Sequence, residues 1–425
     1  MSINPILTRE FDDLMNKLGY FEKKPKLGIS LSGGVDSFAL LILLHEWLKK
    51  RNGKLVAFIV DHGLRNGSDQ EAEEVKRLVL KKKIKCRILL WSGAKPKTRI
   101  MQTARNFRYD LLMKACLKEK ILHLFFGHHL NDNIETFLMR SERLGHKAGL
   151  ASIRNIREEL NVRILRPLIE VEKSRLLDTC NYHNQKWIND PSNLNRKFER
   201  VRIRENQKTN LNRFKIKKKI DFYVQQNKIL ETKISLFFAQ NLIFERVGIF
   251  KLNMDSFNEL SENLKILVFK KTLTTNSGLL HPPKLRAINL LIQQLKSENF
   301  SKRTLHQNYI YLKDKFIIIS RECKKDNKIK VNLIPNKKIV WDNRFLLFSR
   351  FSRATCYSIC EFNIEKINNL FFKHEKRKIH FDILKTLPLI KIRNNYMIPF
   401  ISSEKKLIKS GVSFFFSPKV PLTNN

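Results

Sequence analysis

A six-residue turn, Ser32-Gly33-Gly34-Val35-Asp36-Ser37, joins an apolar strand-like run, Lys26–Leu31, directly to a helix-like run, Phe38–Lys50. A glycine pair at a strand-to-helix turn lets backbone approach a ligand closely, because no Cβ stands in the way. The hydroxyls of Ser32 and Ser37 and the exposed N–H groups of the turn then face one concavity at the positive end of the helix. Such a cradle suits phosphate, and Asp36 sits where a carboxylate holds a magnesium ion bridging phosphate oxygens. The Walker pattern G-x-x-x-x-G-K-[ST] is absent, so this is a different kind of phosphate loop. Each residue alone is common in turns. Two glycines, two hydroxyls and a carboxylate at one strand–helix junction point to nucleotide binding.

The stretch from 26 to 143 alternates strand and helix signals. Strands are expected over Lys26–Leu31, Leu55–Val60, Lys85–Trp91 and Ile121–Phe126. Helices are expected over Ser37–Lys50, from Ser68 to about Lys83, over Ile100–Lys120 and over Asn131–Arg143. Ser68-Asp69-Gln70-Glu71 has the form of a capping box. This alternation predicts an α/β fold, a doubly wound parallel sheet with helices on both faces. Ligands in such sheets bind beyond the carboxyl ends of the strands. Beyond Arg166-Pro167-Leu168 the chain becomes basic and helical. Pro282-Pro283 opens a further helix to about Ser297, and Asn308–Ser320 reads as a hairpin about Lys313-Asp314. Lys324–Lys338 reads as a linker, and a second hairpin is expected about Asn394-Asn395. Three domains follow: 1–205 binding nucleotide, 206–330 mostly helical, and 331–425 a small α+β unit, the last two gripping nucleic acid.

Charge supports that last expectation. The 425 residues carry 82 Lys and Arg against 40 Asp and Glu, a net charge of +42. An excess of this size repels itself unless a polyanion relieves it, and nucleic acid is the natural partner. A coding genome poor in G and C also enriches lysine, so a solvated lysine-rich surface is the competing explanation. Six cysteines are scattered with no C-x-x-C pair, which favours reduced thiols and a cytoplasmic setting over a disulfide framework or zinc ribbon. Met1–Pro25 lacks the apolar core of a signal peptide. No apolar run approaches the roughly 20 residues that span a bilayer.

The first loop, Asp61-His62-Gly63 after the second strand and Gly127-His128-His129 after the fourth fall on the carboxyl edge of that sheet, and further constellations lie elsewhere along the chain. Asp61-His62-Gly63 ends the second strand and can meet a base. Arg105 and Arg108 lie three apart on a helix and can meet phosphate oxygens. His128-His129-Leu130-Asn131-Asp132-Asn133-Ile134-Glu135-Thr136 follows the fourth strand, with Asn131 as the expected helix cap and Asp132 and Glu135 one turn apart on one face. The paired histidines lack the i, i+4 spacing and further ligands of a zinc site. Asp190-Pro191-Ser192-Asn193 reads as a turn. Arg200, Arg202 and Arg204 alternate beyond it and can contact RNA phosphates.

Taken together, SGGVDS, VDHGLR at Val60–Arg65, QTARNFRY at Gln102–Tyr109, GHHLNDNIET at Gly127–Thr136, LRPL at Leu165–Leu168, DPSN and FERVRIR resemble the tRNA(Ile)-lysidine synthase family of the PP-loop ATP pyrophosphatases. The resemblance covers the first half of the chain. It implies an ATP- and Mg2+-dependent ligase that adenylates the wobble cytidine of a CAU-anticodon isoleucine tRNA and then joins free L-lysine to it, releasing AMP. It further implies that Ser32, Gly33, Gly34, Val35, Asp36, Ser37, Asp61 and His62 bind ATP. Asp36 and Asp132 would hold magnesium, and Arg105, Arg108, His129, Asp132 and Glu135 would act on the substrates. No membrane partner is implied, and a homodimer is one open oligomeric state. The family pattern after the fourth strand usually reads H-H-x-D-D-Q-x-E-T. Here Asn131 and Asn133 replace the first acid and the glutamine, and Arg143-Leu144-Gly145-His146 replaces a glycine-rich loop. A tRNA thiolation enzyme and an RNA-binding protein with a decayed nucleotide site are the alternatives.

Overall fold

Lys26–Leu31 forms strand β1, and its apolar side chains are buried because it lies inside a sheet, with a parallel partner on each side. The structure is a computed structural model. It describes residues 3–63, 67–91, 100–144, 153–159, 162–188, 202–203, 213–279, 281–297, 299–322, 329–350, 354–358, 381–392, 395–399 and 411–423. Helix α1 (Thr8–Asn16) precedes β1. After it come α2 (Val35–Lys49), β2 (Lys54–Asp61), α3 (Ser68–Leu80), β3 (Lys85–Leu90), α4 (Ile100–Glu119), β4 (His123–Phe126), α5 (Leu130–Leu144), β5 (Ile156–Glu159), β6 (Val162–Leu165), α6 (Lys173–Tyr182) and α7 (Arg213–Asn241). The sheet order is β3-β2-β1-β4-β6-β5. Ile29 of β1 pairs with Ala57 of β2 and with Phe125 of β4. All neighbours run parallel except β5, which returns antiparallel on β6. The expected α/β sheet is therefore present. The order turns back between β1 and β4, the switch point at which such sheets open a crevice.

Alternation along β2 shows why both faces are covered. Ala57 and Ile59 pack into one core with α1, α2, α3 and α6, whereas Val56 and Phe58 pack into another with α4. Helix α2 is apolar nearly all round, with Phe38, Ala39, Leu40, Leu41 and Leu44 fully buried. A helix of that composition must lie inside a layer rather than on it.

Contacts divide the chain into two units, Met1–Lys228 and Ile229–Asn425, with the boundary inside α7. The second unit continues with β7 (Leu242–Glu245), β8 (Ile249–Asn253), α8 (Met254–Glu259), α9 (Glu262–Ser277), α10 (Leu285–Leu295), β9 (Arg303–Leu305), β10 (Asn308–Lys313), β11 (Phe316–Arg321), β12 (Lys330–Leu333), β13 (Lys338–Trp341), β14 (Phe345–Ser349), β15 (Ala354–Ser358), α11 (Phe381–Leu384), β16 (Pro388–Ile392), β17 (Asn395–Met397) and β18 (Val412–Phe416). These strands form three sheets, β7-β8-β11-β10-β9, β12-β15-β16-β17 and β13-β14-β18. Helices α9 and α10 pack on the first through Phe269, Leu273, Ile288 and Ile292.

Several local expectations need correction. The β5–β6 hairpin was not expected, because its four-residue strands fall below the length at which alternation is recognisable. Gly67, at φ 83°, occupies the cap of α3, so Ser68 begins the helix instead of capping it. The stretch read as a linker contains β12, in which Val331 and Leu333 turn inward while Lys330 and Asn332 face solvent or the sheet edge. Asn395 pairs with Ile392 and belongs to β17, not to the turn.

At the sheet's amino-terminal edge, a buried carboxylate ties the start of two strands to the end of α4. Glu119 accepts hydrogen bonds from Lys85 Nζ at 2.9 Å and Lys26 Nζ at 2.9 Å, and also pairs with Arg87. The Lys85 and Lys26 hydrogen bonds pull its pKa from 4.5 to about 2 against the opposing effect of burial. A depressed carboxyl stabilises the fold fully above its ordinary value and progressively less as pH falls through the folded one. Glu119→Gln should therefore cost about 1–2 kcal/mol near neutral pH, at the low end because the three cations are partly solvated. The difference in urea midpoint from the parent protein should shrink between pH 4.5 and pH 2. A difference that stays constant across that window contradicts the assignment.

Candidate active site

Five segments meet the carboxyl edge of the sheet: the turns after β1, β2 and β4, the residue after β6, and the face of α4 that carries Arg105 and Arg108. The turn after β1 is held by its own side chains. Ser37 Oγ donates to Gly34 O at 2.9 Å and accepts from Ser32 N–H at 3.3 Å, and it lies 3.2 Å from Ser32 Oγ. Gly33 has φ 87°, and a Cβ there would sit 2.7 Å from Val75 Cγ2, so the fold itself requires glycine at that position. Gly33 O also accepts from Ile188 N–H at 2.9 Å, which backs the turn with the segment after α6. Gly34 is different. It caps α2 at φ −78°, an ordinary value, and a Cβ would meet only Ser32 Oγ at 3.8 Å. Among the described residues nothing demands a glycine there, and its bare surface lies at the helix's positive end.

The turn after β4 comes against this one backbone to backbone. A Cβ on Gly127 would lie 2.8 Å from Asp36 O and 3.1 Å from Ser37 Cα. This close approach brings Asp36 beside the start of α5. There His129, not the expected Asn131, caps the helix. Its Nδ1 accepts from Asn131 N–H at 3.2 Å, and Asp132 reaches back to accept from His129 N–H at 3.1 Å. The result is a capping box built from histidine and aspartate. Sequence reasoning missed it because histidine is an uncommon cap.

With Nδ1 accepting, the proton of a neutral His129 ring sits on Nε2. That nitrogen lies 3.5 Å from Asp36 Oδ2 and 3.6 Å from Asp132 Oδ2, and the ring is 2% exposed. A buried imidazole thus gathers two carboxylates that are 96 residues apart in sequence. Lys173, the first residue of α6 and unmarked by the sequence motifs, stands 3.8 Å from Asp36. Among the described residues no group of three or more His, Cys, Asp or Glu side chains forms a ready-made metal cage. Two adjacent carboxylates nevertheless fit magnesium, which commonly takes one or two protein carboxylates and completes its shell with phosphate oxygens and water.

Around the ends of β2 and β4 the surface is cationic and aromatic. Arg108 lies 5.6 Å over Phe126 and 5.8 Å over Tyr109, and Arg105 lies 6.0 Å over Tyr109. Burial, then the nearby Arg108 charge, lowers the pKa of His62 despite Asp61. Burial raises that of Tyr109, but Arg166, Arg105 and Arg108 together outweigh it and bring it below its usual value. Asp61 shapes its own loop, its Oδ1 accepting from Gly63 N–H at 2.8 Å and its carbonyl from Trp91 N–H at 3.0 Å. Glu135 is buried one turn beyond Asp132, and Asn133 Oδ1 accepts from Ile153 N–H at 2.9 Å. Arg202 is exposed, while Arg200, Arg204, the DPSN turn and Gly145-His146 lie outside the described residues.

Residues 3–211 match the PP-loop domain family model. Over nearly its whole length the chain is similar to proteins named tRNA(Ile)-lysidine synthase. That of Orientia tsutsugamushi (strain Boryong) is 30% identical over 434 residues, covering 96% of each chain. That of Rickettsia bellii (strain RML369-C) is 31% identical over 424 residues, covering 96% of this chain and 97% of the relative. That of Wolbachia sp. subsp. Brugia malayi (strain TRS) is 31% identical over 346 residues, covering 79% of each.

The contrast between the two glycines gives a test. Gly34→Ala should leave the melting temperature within about 2 °C, because the methyl meets open space at an unstrained φ. The same methyl should weaken ATP binding roughly tenfold or more, measured by calorimetry, since it fills the cradle. Unchanged ATP affinity in a folded Gly34→Ala protein contradicts a phosphate at this turn.

Proposed function

The chain belongs to the tRNA(Ile)-lysidine synthase family, ligase-type enzymes that modify tRNA, and on that premise we propose that it joins free lysine to the wobble cytidine of a CAU-anticodon isoleucine tRNA. The observation that carries the proposal is the meeting of Asp36 and Asp132 at one buried imidazole, directly beside a glycine turn with room for phosphate.

Two displacements make up the reaction. The C2 carbonyl oxygen of cytosine attacks the α-phosphorus of ATP, and pyrophosphate leaves with the electron pair of the broken P–O bond. The ε-amine of lysine then attacks C2 and loses a proton, and AMP departs with the former carbonyl oxygen. The first step exists to make the second possible: an amide-like oxygen is a poor leaving group and AMP a good one.

In this reading the turn at Ser32–Ser37 holds the pyrophosphate half of ATP through its N–H groups and serine hydroxyls. Asp61 and His62 flank the adenosine. Arg105 and Arg108 neutralise charge that grows on the phosphate oxygens. Asp36 and Asp132 are the residues that would hold Mg2+, which screens phosphate charge when bound. Glu135 and Asp132 are the carboxylates for the lysine side of the reaction, where an acidic neighbour binds the ammonium group. Arg202 and its neighbours Arg200 and Arg204, with the basic helices beyond, contact RNA phosphates.

The four cysteines among the described residues support ligation over thiolation. Burial raises the pKa of Cys86 to about 11 and those of Cys116, Cys180 and Cys356 to about 12, away from the low values that sulfur-relay nucleophiles need.

Incubation with labelled lysine, ATP and unmodified CAU-anticodon isoleucine tRNA should yield a lysine-bearing cytidine after nuclease digestion. Labelling should require both ATP and the CAU anticodon. Asp36→Asn should lower AMP release by roughly 10²-fold or more while changing tRNA affinity by less than about threefold. Parallel loss of tRNA binding would overturn the assignment of Asp36 to the nucleotide.

A further inference from the structure

Arg166, the residue after β6, is 3% exposed and has no carboxylate within ion-pair distance among the described residues. Its guanidinium is fully directed nonetheless. Nη1 donates to Arg154 O at 2.8 Å, Nη2 donates to the Tyr109 hydroxyl at 3.4 Å, and Nε donates to His128 Nδ1 at 3.3 Å. The group also lies 5.7 Å over the Phe126 ring. A buried cation without an acid partner is costly to keep, and burial lowers its pKa. Its retention at the active-site edge therefore calls for a specific task.

Guanidinium has donors and no acceptor. The nitrogen it meets on His128 must carry the lone pair, so the ring's proton is on Nε2. A proton on Nδ1 would set two N–H groups against each other. His129, the next residue, is fixed in the same tautomer by a different donor, the Asn131 backbone N–H. The paired histidines at the end of β4 thus share one electronic state, achieved once by a backbone and once by Arg166.

We propose that Arg166 is a positioning residue that holds His128 as an Nε2–H hydrogen-bond donor, directed at an oxygen of the reacting nucleotide. This inference rests on the adenylation reading of the same site. Within it, His128 donates to an oxygen that gains negative charge, and the base that deprotonates the incoming amine is a carboxylate and not either histidine. Tyr109 braces the far side of the guanidinium, which is why an aromatic hydroxyl sits among arginines.

The test begins with the ring nitrogens of the wild-type protein labelled with 15N-histidine. The His128 signals among the 11 histidines are identified by their loss in His128→Gln. Nδ1 should show the shift of an unprotonated nitrogen and Nε2 that of a protonated one. Arg166→Met should move His128 to a mixture of tautomers and lower kcat roughly 10- to 100-fold, with KM for ATP changed less than about threefold. Arg166→Lys, which keeps a single donor, should recover part of that loss. A proton on Nδ1 of His128 in the wild-type protein overturns the proposal whether or not any variant folds. So does a folded Arg166→Met protein with unaltered kcat. Failure of the wild-type protein to consume ATP would instead remove the adenylation reading and leave the tautomer result standing.

Discussion

The site depends on one approach of backbone to backbone, Gly127 against the first turn of α2. β1 and β4 are neighbours in the sheet, so the turns that leave them diverge only if something keeps them apart. A side chain at 127 would do so, because the atoms it would strike belong to main chain and cannot swing away. With hydrogen there, Asp36 at the start of one helix and His129 and Asp132 at the start of the next come to a common point. Each helix contributes its positive end as well, so the carboxylates gather where two helix dipoles favour negative charge. That bias leaves them suited to a cation and its phosphate ligands.

The surrounding layers serve this arrangement. An α2 that is apolar on every side cannot shift without exposing core, and α6 and the segment to Ile188 close over it, reaching Gly33 by a hydrogen bond. The Ser32–Ser37 turn is therefore backed from behind by packed structure. On the other face, α4 carries Arg105 and Arg108 over the rings of Tyr109 and Phe126, so that flat aromatic surfaces help to fix the cationic heads.

Much of this was legible in the chain. The strand–turn–helix context of Ser32–Ser37, the four parallel strands and the placement of Asp61-His62-Gly63 and Gly127-His128-His129 on one edge all follow from hydrophobic period and from the rule that sites gather at carboxyl ends. What escaped reading were features carried by geometry alone. His129 as a cap was hidden because its propensity for that position is low, and its worth comes from the two acids it gathers. Nothing local marks Gly127, and only the proximity of Asp36 shows why a side chain does not fit there. The β5–β6 pair was too short to display alternation, and with it went the placement of Arg166 against His128. Strand β12 was masked by lysine and asparagine on its outer row. In each case tertiary contact, not local preference, decides the outcome.

The most direct measurement of the central claim follows phosphorus. ATP labelled at the α- or the γ-phosphate is mixed with the protein and unmodified CAU-anticodon isoleucine tRNA, lysine is withheld, and the reaction is quenched within a turnover. The account predicts α-label attached to the RNA and γ-label released as pyrophosphate. Unlabelled RNA, with γ-label released as orthophosphate, would contradict it.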